Sequence, residues 1–382
     1  MIQERRYRVL HVFSAYGGGI SSLILNLLEN KKDNLSFDTL AFSYNKGDGF
    51  VQTVEKQGGK CYLMKSARKD GIGQCWNSIK ELFEREHYDA IHCHIAGWMC
   101  IPFRYAAHKY GVPVFVIHAH TTRYDSRIDR TAIVQRLNKV INYKCATHYM
   151  VCSDMAGEYI FGKKYMKKKP TELIPNGIQE GKFLDQITEE EKARYNREFD
   201  IKDDAMIISH VGRFSVPKNH EYILEIAKCL KQKQINGIVL LIGDGERFDE
   251  IKDKAEQMQL LDIVRFLGRR YDISKLMQYS DLMILPSINE GLPTVAVECQ
   301  ASGTPMLISD RVTRQCDMNM GLVEFLDLES VKIWCEKIVE KKDTKLMITD
   351  CVKHIRNCGF TAAIAGMNYC DMMYQSICDA EK

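Results

Sequence analysis

Tyr7-Arg8-Val9-Leu10-His11-Val12-Phe13, then Gly17-Gly18-Gly19, then Ile20-Ser21-Ser22-Leu23-Ile24-Leu25-Asn26-Leu27-Leu28 follow one another near the start of the chain. The first piece is a short apolar run of strand length, and the glycines mark a turn. Ile20, Leu23, Ile24, Leu27 and Leu28 then recur at helical spacing on one face. Strand, glycine turn and helix in succession open a parallel sheet covered by helices. The pattern continues with strand signals at 89–94, 114–120, 148–153 and 172–175, separated by helical patterns over 76–86 and 133–144.

A second series begins past the polar stretch 187–199, which carries Glu189-Glu190-Glu191. Its strand signals lie at 206–211, 238–242, 263–267, 281–285 and 305–309. The fold class expected is therefore α/β, two Rossmann-like domains. The boundaries read 1–185 for the first domain, 186–360 for the second, and 361–382 for an apolar C-terminal helix packing back toward the N-terminal domain.

Composition sets outer bounds. The 382 residues are 45% hydrophobic and 27% charged, which fits a globular protein and excludes collagen, long disorder and low-complexity arrays. No run approaches the ~18 apolar residues of a spanning helix. The basic start, Arg5, Arg6 and Arg8, leads into a strand without a signal-peptide core, so a cytoplasmic protein is expected. Fourteen cysteines without a CxxC pair read as buried, reduced thiols. Residues 1–180 hold 26 Lys+Arg against 17 Asp+Glu, and residues 181–382 hold 27 against 33, giving +9 and −6. A basic half meets an anionic membrane surface or a phosphate-bearing substrate, or is only a solvated surface. The loop Ala15-Tyr16-Gly17-Gly18-Gly19 lacks the GxGxxG spacing of a dinucleotide oxidoreductase.

Ligands of doubly wound sheets bind beyond the carboxyl ends of strands. There the sequence places Gly212-Arg213-Phe214-Ser215-Val216-Pro217-Lys218-Asn219, whose two cations suit a diphosphate. Gly243-Asp244-Gly245 permits close backbone approach to a ligand, or is turn chemistry alone. The richest segment is Pro286-Ser287-Ile288-Asn289-Glu290-Gly291-Leu292-Pro293-Thr294, running on to Glu298. Pro293 is expected in a first helical turn, which turns the backbone N–H groups of Gly291, Leu292 and Thr294 toward a phosphate. Glu290 and Glu298 can grip hydroxyls at two ends of one ligand, or respectively cap the helix and face water.

These residues resemble the retaining glycosyltransferases of family 4, whose GT-B fold is two facing Rossmann-like domains with an interdomain cleft. The resemblance rests on Val211-Gly212-Arg213 with Lys218-Asn219, Gly243-Asp244-Gly245, Phe266-Leu267-Gly268, Ser280-Asp281, Glu290-Gly291-Leu292-Pro293 to Glu298, and Ala301-Ser302-Gly303-Thr304-Pro305, in family order over about 100 residues. The first half agrees more loosely, through the glycine loop, His92-Cys93-His94, His118-Ala119-His120 and Pro175-Asn176-Gly177-Ile178. The resemblance, closest to bacterial exopolysaccharide and capsule members, implies that Arg213 and Lys218 hold the donor diphosphate, Glu298 the ribose and Glu290 the donated sugar. It further implies that Gly268, Arg269 and Tyr271 border the base. His118 is implied as the active-site histidine, with His120 the alternative, and Gly17, Gly18 and Gly19 as lining near diphosphate and acceptor.

The implied reaction moves a hexose from a nucleotide-sugar donor, UDP-linked, to a saccharide or lipid-linked acceptor. A GT-B epimerase or hydrolase and a silent binding protein are the alternatives. No Asp-x-Asp motif occurs, so no cofactor and no metal is expected, the two cations and a helix N-terminus neutralising the leaving charge. His92, His94, His118 and His120 lack a cysteine pair to complete a zinc set. No nucleic-acid partner is expected. The basic amphipathic stretch 127–144, with Arg127, Ile128, Arg130, Ile133, Arg136, Leu137, Lys139, Val140 and Lys144, either lies on the inner face of an anionic membrane or packs on its own sheet. Lys163, Lys164, Lys167, Lys168 and Lys169 add to the same charge.

Overall fold

A computed structural model describes residues 5–17, 19–44, 49–67, 69–122, 131–202, 204–341 and 344–382. They form two compact units, Met1–Gly177 with Thr361–Lys382, and Ile178–Phe360.

The first unit is built on seven parallel strands: β1 (Tyr7–Phe13), β2 (Leu35–Ala41), β3 (Cys61–Leu63), β4 (Ala90–Cys93), β5 (Val114–Ala119), β6 (His148–Val151) and β7 (Glu172–Leu173), in the order β3-β2-β1-β4-β5-β6-β7. Parallel neighbours require crossovers, and the helices Gly19–Glu29, Ile72–Arg85 and Ile101–Lys109 supply them. Val9, Leu10 and Val12 have no exposed surface, as strands covered on both faces demand.

Strand β2 escapes the sequence pattern because Asp38 and Thr39 interrupt its apolar run, yet both are buried. Each has its polar atoms satisfied. The Asp38 carboxylate accepts from Arg8 Nη2 at 2.6 Å, from the Lys60 backbone N–H at 2.9 Å and from the Tyr88 hydroxyl at 3.1 Å. Thr39 Oγ1 donates to Cys61 Sγ at 3.1 Å. Strand β3, at three residues, is too short to carry a period, and β7 occupies the first two residues of the expected stretch 172–175.

The C-terminal helix Ala362–Glu381 belongs to this first unit. Tyr369, Cys370, Met373 and Ile377 share one core with Leu23, Ile24, Leu27 and Leu28 of the helix Gly19–Glu29. Gly366 lets the two helices close, since a Cβ there would lie 2.6 Å from Asn30 Cβ.

The second unit has six parallel strands, β8 (Met206–Val211), β9 (Gly237–Ile242), β10 (Val264–Gly268), β11 (Leu282–Leu285), β12 (Met306–Ser309) and β13 (Val323–Leu326), ordered β10-β9-β8-β11-β12-β13. The edge strand β13 is half-covered, and Glu324 in its middle hides it from a hydrophobicity scan. Residues 178–185 pack in this unit: Phe183 is buried, and Gln278 Nε2 donates to the Phe183 and Asp185 carbonyls, each at 3.1 Å. The helix Glu189–Glu198 then starts on a capping box between Thr188 and Glu191.

Strand order reverses between β1 and β4 in one sheet and between β8 and β11 in the other. Crevices at such reversals receive ligands, which singles out the loops after β1, β4, β8 and β11.

Candidate active site

In the second unit the loops after β8 and β11 are tied together. The Ile288 N–H donates to the Pro217 carbonyl at 2.8 Å, and Asn219, at φ 56°, donates from Nδ2 to the Pro286 carbonyl at 3.1 Å. This tie brings Lys218 Nζ to 2.7 Å from Glu290 Oε1, both side chains largely covered. Cation and carboxylate from two loops thus meet at the switch point. Arg213 is the more exposed cation, 3.0 Å from Glu246 Oε2.

The glycines beside them serve loop contact. A Cβ at Gly243, at φ 142°, would collide with the Gly212 carbonyl, and one at Gly245 would lie 2.5 Å from the Phe214 carbonyl oxygen. Their absence allows Phe214 to donate from N–H to Asp244 O at 3.0 Å and to accept from the Arg247 N–H at 3.1 Å. The result is a fixed platform for Arg213.

Pro293 occupies the N-cap position of the helix Thr294–Ala301, with ψ 103°, one residue earlier than the expected first helical turn. Leu292 and Pro293 are buried while Gly291 and Thr294 keep part of their surface. Glu298 lies in the second turn. Desolvation raises its carboxyl pKa above the ordinary value, and Lys182 opposes that rise. Gly268 ends β10 at φ 63° with open space where a Cβ would stand, Tyr271 is 85% exposed, and the Arg269 guanidinium lies 5.5 Å from its ring centroid.

Sequence reading overlooked what supports these loops. His210 Nδ1 donates to the Ile284 carbonyl at 2.9 Å, and its Nε2 stands under Gly212. Burial pushes His210 down to about 4 and His220, stacked on Phe214 at 4.0 Å, down to about 2. Ser287 Oγ and Asn289 Oδ1 are buried without a hydrogen-bond partner among the described residues. Both lie within the segment 286–294 that the sequence singles out, without a role of their own there.

In the first unit Gly17, at φ 96°, donates its N–H to Ser21 Oγ at 2.8 Å, and Gly19 opens the first helix; Gly18 lies outside the described residues. His118 and His120 line a cavity of about 520 Å³ together with Ser14, Ser66, Lys69 and Trp98. The structure gathers these two with His92, His94 and His11, the last unanticipated. The ligand nitrogens of His11, His92 and His94, and likewise of His94, His118 and His120, lie within 4.8 Å of one another.

The helix Ala132–Cys145 is turned opposite to an ordinary amphipathic helix. Asn138 and Asn142 face inward, Asn142 accepting from the Gly97 N–H at 2.6 Å and donating to the Ile160 carbonyl at 2.8 Å. Ile133, Leu137 and Val140 face out at 73%, 57% and 39% exposure, alongside Arg136 and Lys144. Tyr143 stacks on Tyr165 at 4.4 Å, which sets the exposed Lys163, Lys164, Lys167, Lys168 and Lys169 beside this helix. Arg127, Ile128 and Arg130 lie outside the described residues. No helix among the described residues is long and apolar enough to cross a membrane.

Two parallel Rossmann-like sheets in one chain, the second with a cation–carboxylate pair at its switch point, define the GT-B class of fold. Residues 17–181 match the model described as glycosyltransferase family 4, and residues 191–320 the one described as glycosyl transferases group 1. The putative glycosyltransferase EpsF of Bacillus subtilis (strain 168) is 35% identical over 344 residues, covering 87% of this chain and 86% of that protein. An Escherichia coli protein named UDP-Gal:alpha-D-GlcNAc-diphosphoundecaprenol alpha-1,3-galactosyltransferase is 26% identical over 288 residues, covering 73% of this chain and 74% of that one. Anabaena HepE, solved in complex with UDP and glucose, shares the fold with a TM-score of 0.77 at 15% identity over 97% of this chain and 100% of that one. The chain belongs to the family 4 glycosyltransferases, and it is a glycosyltransferase.

Proposed function

We infer that this glycosyltransferase retains anomeric configuration and moves a hexose from a UDP-sugar to a hydroxyl of a saccharide or lipid-linked saccharide in cell-surface polysaccharide synthesis. The observation that carries the reading is the Lys218–Glu290 pair at the switch point, directly before the helix Thr294–Ala301. Lys218 and Arg213 take the donor diphosphate, with N–H groups from Gly291 to Thr294 completing the cradle. Glu290 accepts from hydroxyls of the hexose, Glu298 from those of the ribose, and Gly268, Arg269 and Tyr271 border the base. His118 stands at the sugar, and Gly17 to Gly19 at the acceptor side. The bound UDP and glucose of HepE and the diphosphoundecaprenol acceptor in the name of the Escherichia coli relative support donor and acceptor class.

Bond cleavage leaves negative charge on the diphosphate, and stabilising that charge lowers the barrier. The side chains named supply two cations for it, so transfer proceeds without a divalent metal. The enzyme works at the cytoplasmic face of the membrane, held by the outward apolar and basic face of the helix Ala132–Cys145. The test is incubation with UDP-hexoses and a lipid-linked saccharide, in EDTA, with the product anomer read by NMR. Acceptor-dependent, retaining transfer is expected. Acceptor-free isomerisation, hydrolysis, or activity that needs an added divalent ion would overturn the corresponding part.

A further inference from the structure

Five histidines and one tyrosine of the first unit lie on a single hydrogen-bonded path. His118 Nδ1 is 3.1 Å from His92 Nε2, and His92 Nδ1 is 2.9 Å from the Tyr369 hydroxyl. That hydroxyl is 3.4 Å from His11 Nε2, His11 Nδ1 is 3.2 Å from His94 Nε2, and His94 Nδ1 is 2.8 Å from His120 Nε2. The path folds back on itself. Its two end rings, His118 and His120, are 3.9 Å apart between centroids, and both line the cavity of about 520 Å³.

Burial keeps these rings neutral. Desolvation lowers His11 and His120 to about 3 and takes His92, His94 and His118 well below the usual value, with repulsion from neighbouring rings adding to it for those three. A neutral imidazole has one N–H and one bare nitrogen, and a phenol donates one hydrogen bond while accepting another. Six protons therefore serve five links, with one left for an end. Only two arrangements satisfy every link. Either all five rings are Nε2–H, with the spare proton on His118 Nε2, or all are Nδ1–H, with it on His120 Nδ1. Any mixture places two protons or two lone pairs in one buried link. His118 Nε2 is buried and makes no hydrogen bond among the described residues. In either arrangement His118 and His120 share one tautomer.

We propose that the six side chains act as one proton-ordered chain that fixes the tautomers of His118 and His120 together, so that of their two outer nitrogens, His118 Nε2 and His120 Nδ1, one is an N–H donor and the other a bare acceptor. His92, Tyr369, His11 and His94 are positioning residues for that pair. A donor beside an acceptor complements two neighbouring hydroxyls, the edge of a saccharide. The ligand class rests on the glycosyltransferase reading, whereas the order of the chain does not.

The full chain, labelled with 15N at its 11 histidines, tests the order through two-bond ring correlations that separate Nδ1–H from Nε2–H tautomers. One common tautomer in all five rings is expected, identified by single substitutions. Tyr369→Phe, which removes only the bridging hydroxyl, is expected to give mixed tautomers in one or both half-chains. Unchanged tautomers in that variant, mixed tautomers in the wild type, or ring signals that collapse to a metal-bound pattern on adding zinc would overturn the proposal. A second pair keeps the test open should Tyr369→Phe not fold. His92→Gln retains an amide that can pair with His118 and is expected to keep transfer activity, while His92→Leu is expected to lose about 10-fold in kcat with donor KM unchanged, the lower end for loss of an outer partner. Equal activity in the two would overturn the positioning role even where transfer itself is established.

Discussion

Lys218 shows how much one side chain on a strand-end loop determines. It holds Glu290 at 2.7 Å and, on the proposed reading, faces the leaving diphosphate. Lys218→Ala and Arg213→Ala should each lower kcat by about 100-fold, the cost of losing one charge-stabilising donor, with folding intact by circular dichroism. Wild-type rates in both would remove the diphosphate assignment. Glu298 allows a second prediction, with opposite signs for stability and binding. Its folded pKa lies above the unfolded value, so the folded state binds more protons, and the stability it withholds grows as pH rises through the window above 4.5. Glu298→Gln should match wild type in urea melts near about pH 4 and exceed it near about pH 7, while binding UDP more weakly. Equal stability at both pH values, or unchanged UDP affinity, would count against its assigned place. Both residues stand out as candidates in the sequence, Lys218 because it lies on a loop after a strand, where ligands of such sheets bind, and Glu298 because it follows Glu290 by eight residues into the next helix. His11 and Tyr369, 358 positions apart, do not, because their meeting is a product of packing.

At the scale of elements, period and composition identify strands that are apolar throughout and fail where burial is bought with polar pairing. Strand β2 carries Asp38 only because Arg8, Lys60 and Tyr88 converge on it. The helix Ala132–Cys145 fails in the other direction: its apolar period is plain, but buried Asn138 and Asn142 fix the rotation that sends Ile133 and Leu137 outward. Two expectations follow. Asn142→Leu should destabilise by about 1–3 kcal/mol in chemical melts, since the Gly97 N–H and the Ile160 carbonyl lose a buried partner. Ile133→Glu with Leu137→Glu should leave stability unchanged and abolish co-sedimentation with anionic vesicles at low salt. Wild-type binding should weaken as the Debye length falls from ~10 Å at 0.1 M salt to ~3 Å at 1 M. Undiminished binding of the double variant would place the contact elsewhere.

For the whole molecule, the return of the helix Ala362–Glu381 makes the first unit discontinuous in sequence. Removing residues 361–382 withdraws Tyr369, Met373 and Ile377 from its core, roughly 5–9 kcal/mol of burial. Domains are stable by only about 5–15 kcal/mol, so the first unit of the truncated chain should unfold. Calorimetry should then retain only the transition of Ile178–Phe360; two intact transitions would show that the helix is dispensable. The same connectivity imposes an order in time on a chain made from its N-terminus. After Gly177 emerges, 183 residues of the second unit must be translated before the closing helix exists, roughly 10–40 s at about 5–20 residues per second. During that interval Leu23, Ile24, Leu27 and the histidine-bearing strands lack their cover. The nascent first half is thus a client for whatever shields apolar surface at the ribosome, and its histidines come under a common order only once the closing helix has been made.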